Sequence, residues 1–173
     1  MVPFPDELAR GLAVVTYDPG WPAEFAALAC RVTAALGPMA VRVEHVGSTS
    51  IPGLAAKDCI DVQVGVHALD EQLISGRFAE IGFRLRPEPW NRVEGTPGGP
   101  CLAAASEAAR GKLLFRDFLR ADDTAREAWG GFKRRLVLMT TDLYEYGQAK
   151  AGPTQILMIA AEDWASRTGW TPF

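Results

Sequence analysis

The chain has 173 residues, 48% of them hydrophobic and 23% charged, so it fits one domain with a sizeable core. Its net charge of −3 gives no overall nucleic-acid signal, and no run of eighteen apolar residues is present to span a membrane. No signal peptide is evident. Three widely spaced cysteines among apolar neighbours are expected to be reduced core or near-core residues. A soluble, cytoplasmic protein is the expectation.

The first half of the chain is predicted to supply the strands. Residues 1–13 are predicted to form an irregular lead to a single domain over 14–173. Apolar residues at helical spacing predict a helix over 22–36, and alternation of polar and apolar residues predicts strands over 41–45 and 59–66. A helix is expected over 69–80, capped by Asp70 or its neighbour. The other elements expected in this half are a strand or hairpin formed by Phe83, Leu85 and Val93, a loop over 95–100, and a strand around 101–105.

From Glu107 onward the pattern is helical. One helix is marked by the apolar residues between Leu113 and Phe118, and a second is predicted to begin at Asp122 or Asp123 and to run to about 139.

Two further helices are predicted on either side of Gly152-Pro153, because proline interrupts a helix. The first begins at Thr141 or Asp142. The second covers 154–167 and is expected to bury Ile156, Ile159 and Trp164. Strands in the first hundred residues and helices in the last seventy predict an α+β fold with a small mixed sheet and a mainly helical C-terminal half.

The turn after the first strand carries the clearest chemical signal. Gly47, Ser48, Thr49 and Ser50 offer backbone N–H groups and three hydroxyls, and a glycine lets a phosphate approach the main chain closely. Lys57 lies ten residues beyond Gly47 and is suited to neutralising phosphate charge. The spacing is not that of a P-loop. The alternative is a tight connection made of good turn residues.

Asp61 and Gln63 project from the same face of the second strand, roughly 7 Å apart along it. Two carboxylates there would bridge two magnesium ions. Gln63 is neutral and ligates weakly, so one carboxylate would hold one hydrated Mg²⁺ when the phosphates of the ligand supply the remaining oxygens. Asp61 is therefore the candidate catalytic residue, and Asp61 and Gln63 are the candidate metal ligands.

Cations are concentrated between residues 110 and 150, a segment that contains nine Lys and Arg but six Asp and Glu. They either cover solvated helix faces or face an anionic ligand. Arg116 has Asp117 as a local partner, and Lys150 near a helix end would favour the helix dipole. His45 is either a donor to a ligand or a packed, hydrogen-bonded histidine.

The run from Glu44 to Lys57, followed by Ile60-Asp61-Val62, resembles the signature of the GrpB family. Further similarity covers most of residues 14–160 and includes Tyr17-Asp18-Pro19 with Trp21, Phe115 to Arg120, and Lys133 to Leu136. The resemblance implies a nucleotidyltransferase-like fold. It also hints at nucleotide or coenzyme A metabolism, because GrpB-like domains occur fused to dephospho-CoA kinase.

Carried over by residue, the resemblance implies phosphate contacts at Gly47, Ser48 and Ser50, and a metal ligand at Asp61. It also implies anion contacts at three cations, namely Lys57, Arg116 and Lys150. The sequence departs from the superfamily pattern at Gln63, where a second acidic residue would stand, and over 101–105, which offers no carboxylate.

Three functional hypotheses follow. The first is a nucleotidyltransferase that uses Mg²⁺ and a nucleoside triphosphate. The second is a non-catalytic domain that binds a nucleotide or another phosphorylated metabolite. The third is a protein-interaction domain whose glycine-serine turn is only structural.

Overall fold

The computed structural model describes residues 11–83, 101–103, 107–140 and 142–172. Within these ranges the chain forms five helices and three strands. In chain order they are α1 (Trp21–Leu36), β1 (Ala40–Val46), β2 (Asp61–Val66), α2 (Glu71–Glu80), β3 (Cys101–Ala103), α3 (Glu107–Ala121), α4 (Asp123–Met139) and α5 (Leu143–Thr168). None of these helices combines the length and the apolar character needed to cross a bilayer.

Three helices begin at the aspartates that the sequence offers as caps. The side chains of Asp70, Asp122 and Asp142 accept hydrogen bonds of 3.0, 2.8 and 2.8 Å from the backbone N–H three residues further on. Each bond satisfies an N–H group that has no partner inside its helix. The predicted starts of α2, α4 and α5 are therefore confirmed.

The sheet has three strands in the order β1-β2-β3. β1 and β2 are antiparallel, with Val46 opposite Asp61, whereas β2 and β3 are parallel, with Val64 opposite Cys101. The predicted α+β fold with a small mixed sheet and a helical C-terminal half is confirmed. The predicted strand or hairpin of Phe83, Leu85 and Val93 lies outside the described residues beyond Phe83, and so does the predicted loop over 95–100.

Two apolar clusters flank the sheet region. On one side, Val64 and Val66 of β2 pack with buried residues of α1 and α2, as the alternation in β2 predicts. The other cluster joins the segment after β1 to the helical half, and its buried members are Ile51, Leu54, Leu114, Phe118, Leu119, Trp129, Ala161 and Ala165. The segment that links β1 to β2 therefore packs against α3, α4 and α5.

The predicted break at Gly152-Pro153 is wrong, because α5 continues through Pro153. A proline removes one backbone hydrogen bond from a helix, and here the buried face on either side, with Tyr146 before it and Ala161 after it, offsets that loss. Ile156 and Ile159 are 70% and 73% exposed, contrary to expectation, since they point away from that face.

Cys30 and Cys59 carry no disulfide, as expected, but their predicted place in or near the core is wrong. Cys30 on α1 and Cys59 before β2 are exposed rather than part of the core. Apolar neighbours in sequence do not place a residue on the buried face of a helix, because that face is set by the helical period.

Candidate anion-binding site

The turn after β1 is shaped by the contact between Gly47 and Asp61. Gly47 has φ of +70°, a conformation that residues with a Cβ rarely adopt. A Cβ at this position would overlap Oδ2 of Asp61 and would lie 2.8 Å from Cγ. The residue at this position must therefore be glycine if the Asp61 side chain is to keep its place.

Two of the three hydroxyls of the turn hold the turn itself. The Ser50 hydroxyl donates to the Gly47 carbonyl at 2.6 Å, and the Thr49 hydroxyl donates to the Cys59 carbonyl at 3.2 Å. Both side chains are buried. The Ser48 hydroxyl makes no hydrogen bond within the described part of the chain, so it is the one available to a ligand.

His45 is a packed histidine. Its ring stacks on Phe25 with 4.6 Å between centroids and 7° between planes, and Nε2 lies 3.0 Å from the Thr49 hydroxyl. Burial, followed by the charges of Arg120 and Arg116, lowers the pKa of His45 to about 4. The neutral ring therefore donates from Nε2 to Thr49, whose own proton goes to the Cys59 carbonyl.

Arg116 and Arg120 of α3 hold the backbone of the turn through hydrogen bonds to its carbonyl groups. The Arg116 guanidinium bonds Glu44 at 2.9 Å, Asp117 at 2.7 Å and the His45 carbonyl at 3.1 Å. Arg120 donates twice to the Ser50 carbonyl, at 2.8 and 3.1 Å. These bonds occupy Arg116, which was predicted to contact the ligand, and we therefore assign it a positioning role.

Asp61 lies at the centre of a group of lysines. The positive charges of four lysines lower the pKa of its carboxyl. In decreasing order of effect they are Lys57, Lys112, Lys150 and Lys133. No hydrogen bond or ion pair joins it to any of them within the described residues. The four ammonium groups, from the loop before β2 and from α3, α4 and α5, therefore act on the carboxylate through space, without a direct contact. We call this group the lysine recess.

Asp61 is an exposed residue, but the protein atoms packed around its carboxyl raise the pKa of that group, whereas the four lysines lower it. Formally, four positive charges face one negative charge. The recess therefore has a net charge of up to +3 when all four lysines are protonated, and this charge favours an anionic ligand.

Lys133 is the most unusual member of the recess. Its side chain is 2% exposed, and its ammonium has no hydrogen-bond partner among the described residues. Burial, then repulsion by Lys150 and Arg134, lowers its pKa to about 7, while Asp61 favours the charged form. A buried ammonium with no partner is costly, so the charged form of Lys133 lacks an anion.

The other lysines are less enclosed. Burial lowers the pKa of Lys150 and of Lys112, and Lys57 lowers that of Lys150 further. The Lys150 ammonium lies 4.6 Å from the ring centroid of Tyr146, which limits its freedom. Lys57 is half-buried on the loop that leads into β2.

The described residues do not fit a protein-held magnesium ion. Gln63 is 3% exposed and donates to the Ala109 carbonyl at 3.2 Å, and its own oxygen is buried without a partner. Of the two predicted ligands, Asp61 is then the one that offers a carboxylate, and four lysines act on the pKa of that carboxylate. No group of three or more His, Cys, Asp or Glu side chains with metal-binding geometry occurs in the described ranges. Mg²⁺ needs anionic oxygens, and this set supplies cations.

A cleft of about 700 Å³ opens beside the recess. It lies between α1, the end of the β1–β2 pair, α3 and α5, and it reaches Gly47, Asp61 and Lys112.

Sequence reasoning identified Lys57 and Lys150 but missed Lys112 and Lys133. A signal for both was available. The chain has only four lysines against fourteen arginines, and all four lie in the recess. Lys133 also stands four residues after Trp129 and three before Leu136, on the buried face of α4. A lysine at a core position of a helix calls for an explanation.

Taken together, the three-stranded mixed sheet, the helical C-terminal half and the turn closed over Asp61 define a small α+β domain. The chain belongs to the GrpB protein family, whose family model matches residues 11–158.

Relatives and a solved structure agree with this assignment. A UPF0157 protein from Streptomyces coelicolor is 37% identical over 94% of this chain and 89% of its own length, and one from Halalkalibacterium halodurans is 35% identical over 87% and 82%. A dephospho-CoA kinase from Mycolicibacterium paratuberculosis is 32% identical, and the match covers 99% of this chain but 53% of the kinase. The crystal structure of GrpB from Enterococcus faecalis has the same fold, with a TM-score of 0.74 and 24% identity over 92% of this chain and all of that one.

Proposed function

We propose that this protein binds a phosphorylated small molecule, with the phosphate groups held in the lysine recess. The observation that carries the proposal is the Lys133 ammonium, which is buried, has no partner in the described structure and lies close enough to Asp61 to affect its pKa. A phosphate oxygen at Lys133 would supply the anion that this group lacks.

The arrangement of the recess supports a ligand with more than one phosphate. The lysines come from four separate parts of the chain and repel one another, as the effects of Lys150 on Lys133 and of Lys57 on Lys150 show. An anion placed between them would replace that repulsion with attraction. The Ser48 hydroxyl, beside Gly47, adds a neutral donor at the mouth of the turn.

A nucleotide or coenzyme-like phosphate ester is the ligand class that we favour. Some relatives are named dephospho-CoA kinase, a name that refers to a phosphorylated coenzyme. Metabolites of this class are intracellular, so we also propose a cytoplasmic location.

Binding is better supported than nucleotidyl transfer. Transfer would need carboxylates at Asp61 and Gln63 to hold the metal, and the described residues provide one carboxylate among four lysines. We therefore assign Asp61 to the binding site and route no chemical step through Mg²⁺.

Isothermal titration with inorganic pyrophosphate in EDTA tests this function. We expect binding to the wild-type chain and a loss of at least about tenfold in affinity for Lys133→Met, which removes one buried charge while keeping a side chain of similar length. Arg135→Met is the matched control, because it removes a positive charge from the exposed side of the same helix. Equal affinities for Lys133→Met and the wild type would refute the proposal.

A further inference from the structure

The cleft beside the lysine recess has a wall of different chemistry from the recess itself. Of the twelve described residues that line it, seven have apolar side chains, and they come from α1, the strand ends, the segment after α2, α3 and α5: Leu28, Val46, Ile60, Val62, Phe83, Phe115 and Met158. A volume of about 700 Å³ is within the range of small-molecule sites.

The cleft and the recess are continuous. Asp61 and Lys112 line the cleft and also belong to the recess, and Gly47 lies at the junction. A ligand with phosphates among the lysines therefore has its remaining atoms directed into the cleft, where water would otherwise cover apolar side chains.

The described residues of the cleft wall offer few side-chain groups that could form hydrogen bonds with a nucleobase. Apart from Asp61 and Lys112, Thr154 supplies the only side-chain hydroxyl. A nucleobase buried there would leave the polar atoms of its edge unpaired against these residues, which is unfavourable. An alkyl group loses nothing on leaving water and gains from burial.

We propose that the cleft binds an apolar, alkyl-type group of the same phosphate ester whose phosphates occupy the recess. This inference rests on the proposed function and narrows its ligand class. It implies that affinity is set by apolar burial and phosphate charge, and that bases are not distinguished.

The test is a titration series of methyl, butyl and hexyl diphosphate in EDTA. The three probes carry the same charge, so only the apolar length changes. We expect affinity to rise roughly fourfold for each added methylene that is buried. We also expect ADP, GDP and CDP to bind within about threefold of one another, because the cleft does not read the base.

Gly111 offers a variant that fills the cleft. It lies inside α3, where a leucine is favourable for the helix, and a Cβ there would be 3.9 Å from the Met158 methyl group. In Gly111→Leu we expect the ratio of hexyl to methyl affinity to fall at least tenfold. Gly76→Leu is the control, because Gly76 is an exposed helical glycine of α2 outside the cleft. Gly111→Ala, with ordinary contacts, gives a smaller fall in the same direction.

The outcomes separate the two proposals. If methyl diphosphate binds and lengthening the chain changes nothing, the alkyl inference is wrong and the proposed function stands. Strong preference for one nucleoside diphosphate also overturns the inference. If neither pyrophosphate nor methyl diphosphate binds, the proposed function fails, and the inference fails with it.

Discussion

Asp61 occupies the space that a side chain at residue 47 would need. The overlap involves the whole Asp61 side chain, since a Cβ at Gly47 would also lie 2.9 Å from the Asp61 Cβ. The pairing of Val46 with Asp61 brings the two residues together at the end of the β1–β2 pair. The turn and the acidic residue are thus one structural unit.

Gly47→Ala is therefore expected to displace Asp61 or the turn. Two costs add: the backbone conformation, with φ of 70° and ψ of −171°, which is nearly confined to glycine and costs another residue roughly 1–3 kcal/mol, and the overlap with Asp61. Gly53→Ala is the reference for a positive φ without a clash, because Gly53 has φ of +79° and its Cβ would meet only Arg126 at 3.8 Å. Chemical denaturation should show a larger loss of unfolding free energy for Gly47→Ala than for Gly53→Ala. Equal losses would mean that Asp61 moves aside freely.

Lys133 is expected to act on stability and on binding with opposite signs. Its pKa is about 7 in the folded chain, against 10.5 for an unperturbed lysine, so between these values the unfolded chain binds more protons. The Lys133 contribution to the unfolding free energy therefore rises from pH 7 to pH 10.5. Anion binding needs the charged form and weakens over the same interval.

Lys133→Met should make the ligand-free protein more stable at pH 7, on the order of 1 kcal/mol, because a buried charge without a partner is removed. The gap from the wild type should narrow as the pH rises toward 10.5. Thermal unfolding across this range measures both effects, with Arg135→Met as the reference. A variant less stable than the wild type at pH 7 would show that the Lys133 ammonium already has a stabilising partner.

His45 is expected to contribute to acid unfolding. Its pKa is about 4 when folded and 6.5 otherwise, so the unfolded chain binds the extra proton between these values. Stability is fully present above pH 6.5 and is lost as the pH falls toward 4. His45→Gln should flatten this part of the pH profile of unfolding free energy, and a variant profile as steep as that of the wild type would contradict the assignment.

The parts of the fold that local patterns determine were predictable. The starts of α2, α4 and α5 follow from Asp70, Asp122 and Asp142, and the two faces of β2 follow from its alternation. The recess was not predictable from spacing, because its lysines come from four segments that only tertiary packing brings together. Lys57 was recognised from its position after the glycine-serine turn and Lys150 through the family resemblance, which carried no information on Lys112.

The resemblance also placed Arg116 in the site, where the structure pairs it with Glu44 and Asp117. The charge pattern along a helix indicates the face on which a cation lies. It does not indicate whether that cation is already paired with a carboxylate from another element.

Asp61→Asn distinguishes an anion site from a metal site. In the recess the carboxylate repels phosphate, so its neutralisation should strengthen pyrophosphate binding in EDTA, and added Mg²⁺ should not be needed for that gain. Titrations of both forms in EDTA and in about 5 mM Mg²⁺, which coordinates phosphate oxygens, measure this. A large loss of affinity in Asp61→Asn that depends on Mg²⁺ would restore the metal-ligand role.

Pro153 tests how α5 tolerates the residue that was expected to end it. In the middle of a helix, proline leaves the carbonyl four residues earlier without its usual donor, and here that residue is Ala149. Pro153→Ala restores the donor and should raise the unfolding free energy by roughly 1–3 kcal/mol. Gly152→Ala is the reference for simple helix propensity and should add about 0.5–1 kcal/mol. A loss of stability in Pro153→Ala would mean instead that the packing of α5 depends on the ring of Pro153.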